Sequence, residues 1–113
     1  MESSCIFCKI IAGEIPARFV HRDESVVAIA DVNPQAPDHL LVMPIEHVRD
    51  LAEFVRAEPA ETIAGLWQVA ARLGAEHPGG FRAVVNTGVD GGQTVDHLHV
   101  HVLAGRHMTW PPG

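Results

Sequence analysis

His97-Leu98-His99-Val100-His101-Val102-Leu103 carries three of the chain's eight histidines at alternate positions. The surrounding stretch, Val95 to Leu103, is rich in β-branched and apolar residues and reads as a strand. Side chains alternate across a strand, so His97, His99 and His101 share one face, and Leu98, Val100 and Val102 share the other. One face belongs to a core. The other is a row of imidazoles about 6.5–7 Å apart. A solvated strand face usually draws on Lys, Glu, Thr and Ser, so a row of histidine alone points to chemistry. Imidazole titrates near neutrality, and such a row supplies a nucleophile, a proton carrier and an orienting partner, or it binds a metal.

The rest of the chain builds around that strand. Cys5 to Ala12 has helical apolar spacing at Ile6, Phe7, Ile10 and Ile11, with Gly13 as the stop. Ala17 to His21 and Val26 to Asp31 read as strands joined by the polar turn Arg22-Asp23-Glu24-Ser25. Pro34 and Pro37 make a loop of residues 33–38. His39 to Met43 is a third strand, ended by Pro44. Asp50 to Val55 reads as a short helix and Glu58 to Glu76 as the long one, with an apolar stripe of Ile63, Leu66, Trp67, Ala70, Ala71 and Leu73 or Gly74. Phe81 to Asn86 is a fourth strand, and a glycine-rich loop leads into the histidine strand. Strands in hairpin-like succession with one long helix between them define an α+β class with a mainly antiparallel, five-stranded sheet.

At 113 residues, 47% hydrophobic and 19% charged, the composition is that of one globular domain spanning residues 1–113. A net charge of −6 offers no basic surface for nucleic acid, which is therefore not an expected partner. No apolar run reaches transmembrane length, so no membrane partner is expected either. Met1-Glu2-Ser3-Ser4 shows no export signal, and the expected compartment is cytoplasmic. Cys5 and Cys8 then read as a metal pair or reduced thiols before a disulfide.

The loop Asp90-Gly91-Gly92-Gln93-Thr94 runs straight into the histidine strand. Glycines let backbone amides approach an anion, and Gln93 and Thr94 add donors. By itself Asp-Gly-Gly is also an ordinary turn. Over a row of histidines it becomes a phosphate site.

Here the sequence resembles the histidine-triad family. Besides the alternating histidines, the resemblance covers Cys5-Ile6-Phe7-Cys8-Lys9-Ile10-Ile11, Glu14-Ile15-Pro16-Ala17, Pro34-Gln35-Ala36-Pro37 before His39, Val84-Val85-Asn86, Asp90-Gly91-Gly92-Gln93-Thr94-Val95 and Trp110-Pro111-Pro112-Gly113. The last two are similar to the Hint branch, the histidine-triad nucleotide-binding proteins. The resemblance implies a HIT-like fold that dimerises into a larger sheet. It implies His99 as the nucleophile toward an α-phosphorus, supported by His101, His97 and His39, with Thr94 near the leaving group. It implies phosphate-side contacts from Asn86, Gly92, Gln93 and Val95, and ribose binding by Asp31. The base and sugar pocket falls to Phe7, Ile10, Ile29 and Val32, and Trp110 reaches the partner subunit's site. Asp96 departs from the pattern, where the family usually has an aromatic or apolar residue. Its parity points it away from the histidines, although its charge would raise the pKa of a neighbour.

The implied activity is hydrolysis of the P–N bond of purine nucleoside 5′-phosphoramidates, AMP or GMP type, through a nucleotidylated histidine. The alternative is a nucleotide-binding regulatory or scaffold protein with little turnover. A neutral imidazole is a good nucleophile and leaving group at phosphorus, and repulsion along the row disfavours full protonation. No carboxylate cluster for Mg²⁺ is visible, and catalysis needs no cofactor. Cys5 and Cys8 are half of a four-ligand zinc site, or two small hydrophobes on a short helix. The resemblance supplies His47 and His97 as the other pair, making a structural zinc the one candidate cofactor. His21, His77 and His107 are read as carrying no chemistry, His77 being a helix-end residue favoured by the dipole. Trp67 is read as core and Trp110 as an interface anchor.

Overall fold

The structure is a computed structural model that describes residues 4–113. Met1 to Ser3, part of the stretch read for an export signal, lies outside the described residues. The elements in chain order are α1 (Ile6–Ile11), β1 (Phe19–Arg22), β2 (Val26–Ala30), β3 (Asp38–Pro44), α2 (Leu51–Ala57), α3 (Ala60–Gly74), β4 (Phe81–Val85) and β5 (Val100–Ala104). The strands form one sheet in the order β1-β2-β3-β5-β4, antiparallel at every pairing. This is the α+β, five-stranded arrangement expected.

α1 ends where Gly13 was read as a stop. Gly13 adopts φ 83°, its N–H bonds the Ile10 carbonyl, and the Glu14 N–H reaches back to the Lys9 carbonyl. That pair of bonds is a Schellman closure, and it needs a left-handed residue at Gly13. α2 starts on Asp50, whose Oδ1 accepts from the Glu53 N–H at 2.9 Å.

The sheet is covered on both faces. α2 and α3 pack Phe54, Leu66, Val69, Ala70 and Leu73 against Val26, Leu40, Val42, Leu98, Val100 and Val102. α1 covers the opposite face with Phe7, Cys8, Ile10 and Ile11 against Val27, Ile29, Leu41 and Met43. The alternation read from the histidine stretch holds: Leu98, Val100 and Val102 face the large core, and the histidines face α1.

Two expectations need correction. The histidine strand begins at Val100, not Val95, so His97 and His99 precede it. The last pairing to β3 is Val42 with Val100. Beyond it β3 runs into Pro44, which has no N–H to offer a ladder, and the Leu98 N–H bonds the Val48 carbonyl instead at 2.8 Å. Trp67 and Ala71 are not core. The buried stripe of α3 is Leu66, Val69, Ala70 and Leu73, at i, i+3, i+4, i+7. Trp67 lies one residue, or about 100°, off that stripe and is 36% exposed.

Candidate active site and metal centre

His97, His99 and His101 diverge in environment although they sit two residues apart. His97 is fully buried, His99 nearly so, and His101 is half-buried. His97 and His99 pack edge-on against Phe7, with centroids at 5.9 and 4.9 Å. The rings of His99 and His101 are 5.0 Å apart, closer than the strand repeat alone gives, because the rings lean toward each other.

Neutral imidazole has one N–H and one lone pair, so a fixed partner at one nitrogen defines the role of the other. His97 Nε2 donates to the Pro44 carbonyl at 2.8 Å, which leaves the Nδ1 lone pair facing the thiols of Cys5 and Cys8. His99 Nδ1 donates to the His97 carbonyl at 2.8 Å, which leaves the lone pair on Nε2. His39 Nδ1 accepts the Gln35 backbone N–H at 3.0 Å, so its proton is on Nε2, 2.9 Å from His101 Nδ1. His101 Nδ1 is then the acceptor, and its own proton is on Nε2.

Burial is the main reason these rings stay neutral. It pushes His97 down to about 4, helped by His47 and His99 and opposed by the bond to Pro44. It pushes His101 down to about 4 as well, helped by His99 and His39 and opposed by Asp31. His99 is lowered by burial, against its bond to the His97 carbonyl and the charge of Asp31. Repulsion along the row, expected from sequence, is secondary to desolvation. Asp96 raises none of these groups. It is exposed, and its charge falls on Arg49.

A mostly apolar cleft of about 350 Å³ opens beside the triad. Phe7, Ile10, Ile29, Asp31, Val32, Thr94, Val95, His99 and His101 line it, all assigned from sequence. Ile15, Pro16 and Leu41 also line it and were missed, because nothing in their local pattern separates a pocket wall from a core. Asp31 Oδ1 accepts the Asn33 N–H at 2.9 Å, and Oδ2 lies 3.4 Å from His39 Nε2.

Asn86, Gly92, Gln93 and Trp110 do not line the cleft. The Gln93 amide is occupied within the loop. Its Oε1 accepts the Gly88 N–H, and its Nε2 donates to the carbonyls of Arg49 and Val95. Asn86 Nδ2 donates to the Gly91 carbonyl at 2.7 Å. These side chains brace the glycine loop, and both Nε2 hydrogens of Gln93 are engaged there. Gly91 is required there, since a Cβ would collide with the Thr87 backbone. Trp110 is 82% exposed, on a tail held at its root by Arg82 to the Thr109 carbonyl. His97 was read as both a supporting and a metal-binding histidine. Only its carbonyl reaches His99, while its ring belongs to the thiol cluster.

That cluster is Cys5, Cys8, His47 and His97, with donor atoms all within 4.8 Å of one another. Cys5 Sγ is 3.5 Å from His97 Nδ1, and Cys8 Sγ is 3.3 Å from His47 Nδ1 and 3.6 Å from His97 Nδ1. Zinc bonds to sulfur and nitrogen in a tetrahedron place such atoms about 3.5–3.6 Å apart. The thiols form no disulfide. Donor set, spacing and the Nδ1 lone pair of His97 all fit zinc. Of the remaining histidines, His77 is paired with Asp38 rather than left to the helix dipole, and His21 bridges Asp23 and Arg72.

An antiparallel α+β sheet with an alternating histidine segment against an apolar cleft defines a histidine-triad protein. The HIT domain family model matches residues 12–108, and the chain belongs to that family. It is 45% identical to the 14 kDa zinc-binding protein of Zea mays over 99% of this chain and 90% of that one. It is 44% identical to adenylylsulfatase HINT1 of Arabidopsis thaliana over 99% of this chain and 78% of that one. The crystal structure of a HIT family hydrolase from Legionella pneumophila Philadelphia 1 superposes with a TM-score of 0.90 at 44% identity, covering 97% of this chain and 100% of that one. No helix among the described residues is long and apolar enough to cross a membrane.

Proposed function

We propose that the chain hydrolyses purine nucleoside 5′-phosphoramidates to the nucleoside monophosphate and an amine. The observation that carries this reading is His99, whose Nδ1 proton is committed to the His97 carbonyl and whose Nε2 lone pair is left for an apolar cleft. Depression of its pKa keeps that lone pair unprotonated at neutral pH. The base stacks among Phe7, Ile10 and Ile29, and Asp31 accepts from the ribose hydroxyls. His99 Nε2 attacks the α-phosphorus. The P–N bond breaks, its electron pair passes to the amine, and the amine takes up a proton. Water then cleaves the nucleotidyl-histidine. His101, its Nε2–H backed by His39, meets charge on the phosphoryl oxygens and serves the departing amine. Thr94 stands at the leaving-group end. A relative named for adenylylsulfatase activity makes adenylyl sulfate the second substrate to assay.

Cys5, Cys8, His47 and His97 hold a structural zinc in this reading, which ties α1 and the segment after β3 to the backbone that carries His99. The Zea mays relative, a zinc-binding protein by name, supports it. The chain is proposed to pair as a homodimer through β4 and α3. β4 is a sheet edge, and Trp67 and Phe81 stand exposed on these elements, Phe81 over Gly74. Light scattering at micromolar concentration should give a dimer; a monomer overturns the pairing. A chain ending at Thr109 should change kinetics with the amine, and unchanged kinetics remove the role of Trp110.

The decisive experiment is steady-state turnover of adenosine phosphoramidate by wild type and His99→Asn, with excess EDTA. Turnover should fall by several orders of magnitude in the variant while nucleotide binding persists. Retention of a tenth of wild-type turnover would refute His99 as nucleophile.

A further inference from the structure

Among the described residues, two clusters gather histidine nitrogens at metal-binding distance, and only one of the two is protonated in a way that admits a metal. In the first, a carbonyl acceptor (Pro44) holds the proton of His97 on Nε2 and frees Nδ1 toward the thiols. In the second, His39 Nε2, His101 Nδ1 and Asp31 Oδ2 converge within 4.8 Å. His39 Nε2 is 2.9 Å from His101 Nδ1 and 3.4 Å from Asp31 Oδ2. Distance alone would admit a divalent cation. The Gln35 backbone N–H, however, donates to His39 Nδ1 at 3.0 Å. A backbone N–H is only ever a donor. Metal at His39 Nε2 would move the ring proton to Nδ1, where it would oppose that donor.

We propose that the Gln35 backbone amide is a tautomer lock that keeps the His39–His101 pair proton-bearing and closed to metal. The lock compels His39 to donate from Nε2, and therefore compels His101 to keep its proton on Nε2. It rests on the reading of His101 as the donor in phosphoramidate hydrolysis. The surrounding loop is built to hold this amide. Pro34 and Pro37 restrict its backbone. The Gln35 carbonyl accepts Arg106 Nε at 3.0 Å. Gly105, at φ 98°, lets the end of β5 lie against Pro37, where a Cβ would come within 2.9 Å of the proline ring. Gln35, through its amide, and Arg106 are positioning residues that act through His39.

The lock is read first by ¹⁵N NMR of the histidine rings in the wild-type protein at neutral pH. His39 should be unprotonated at Nδ1 and protonated at Nε2; the opposite tautomer overturns the proposal whatever the protein's activity. Gln35→Pro removes the N–H, and Gln35→Ala keeps it while removing the side chain. Gln35→Pro should lower kcat by roughly tenfold or more with KM nearly unchanged, and Gln35→Ala should stay near wild type. With cobalt as probe, wild type and Gln35→Ala should bind one equivalent and Gln35→Pro two. Equal stoichiometry and equal kcat for Gln35→Pro and Gln35→Ala would refute the lock. Should Gln35→Pro fail to fold, the wild-type spectrum decides. If phosphoramidates are not substrates, the spectrum and the cobalt count still read the lock independently.

Discussion

Replacing His101 by glutamine should flatten the acid side of the stability curve. In the native state burial, with His99 and His39, holds His101 at about 4, whereas an unfolded histidine titrates near 6.5. Between these values the unfolded chain binds a proton that the native chain does not. Stability is therefore complete above about 6.5 and falls as pH drops toward 4. For a single group with these pKa values, linkage between pH 7.5 and pH 5.0 amounts to about 2 kcal/mol, and the ring's partial contact with the cleft lowers that to about 1–2 kcal/mol. Urea unfolding of the metal-free proteins at both pH values measures it by linear extrapolation. Wild type should lose about 1–2 kcal/mol more than His101→Gln on acidification. His97, also held at about 4, acts in both proteins and cancels. Asp96→Asn is the control and should follow wild type, since the charge of Asp96 falls on Arg49. Equal losses for wild type and His101→Gln would refute the claim that the fold keeps His101 neutral.

Two further outcomes test the frame around the site. Phe54, with no exposed surface, joins α2 to the large core, and Phe54→Ala should cost about 3–5 kcal/mol in urea unfolding with little effect on nucleotide affinity; a loss under 1 kcal/mol would mean that the core closes around the gap. Purified protein should carry one zinc per chain by elemental analysis, and Cys8→Ala should lose it together with several degrees of Tm while retaining measurable turnover; full zinc occupancy in Cys8→Ala would remove Cys8 from the donor set.

What local pattern determined was determined well. The two faces around Leu98, Val100 and Val102, the α+β class and the Gly13 stop follow from period and from the stereochemistry of single residues, whereas most of the cleft lining came from the resemblance to the histidine-triad family. The four candidate metal donors came from a local Cys5-x-x-Cys8 pair completed by resemblance. Where local signals misled, a distant partner was the cause. Val95 to His99 has strand composition, but a ladder needs a neighbour, and β3 runs into Pro44. Trp67 fits a helical stripe until the sheet beneath selects Leu66, Val69 and Leu73. Gln93 offers side-chain donors until the carbonyls of Arg49 and Val95 take them up. The resemblance named roles for the histidines, but the hydrogen bonds that fix their tautomers depended wholly on tertiary structure. His97 meets Pro44 across 53 residues, and His39 meets His101 across 62. An imidazole is nucleophile, donor or ligand according to which of its nitrogens a neighbouring backbone group claims, and those neighbours are brought together only by folding.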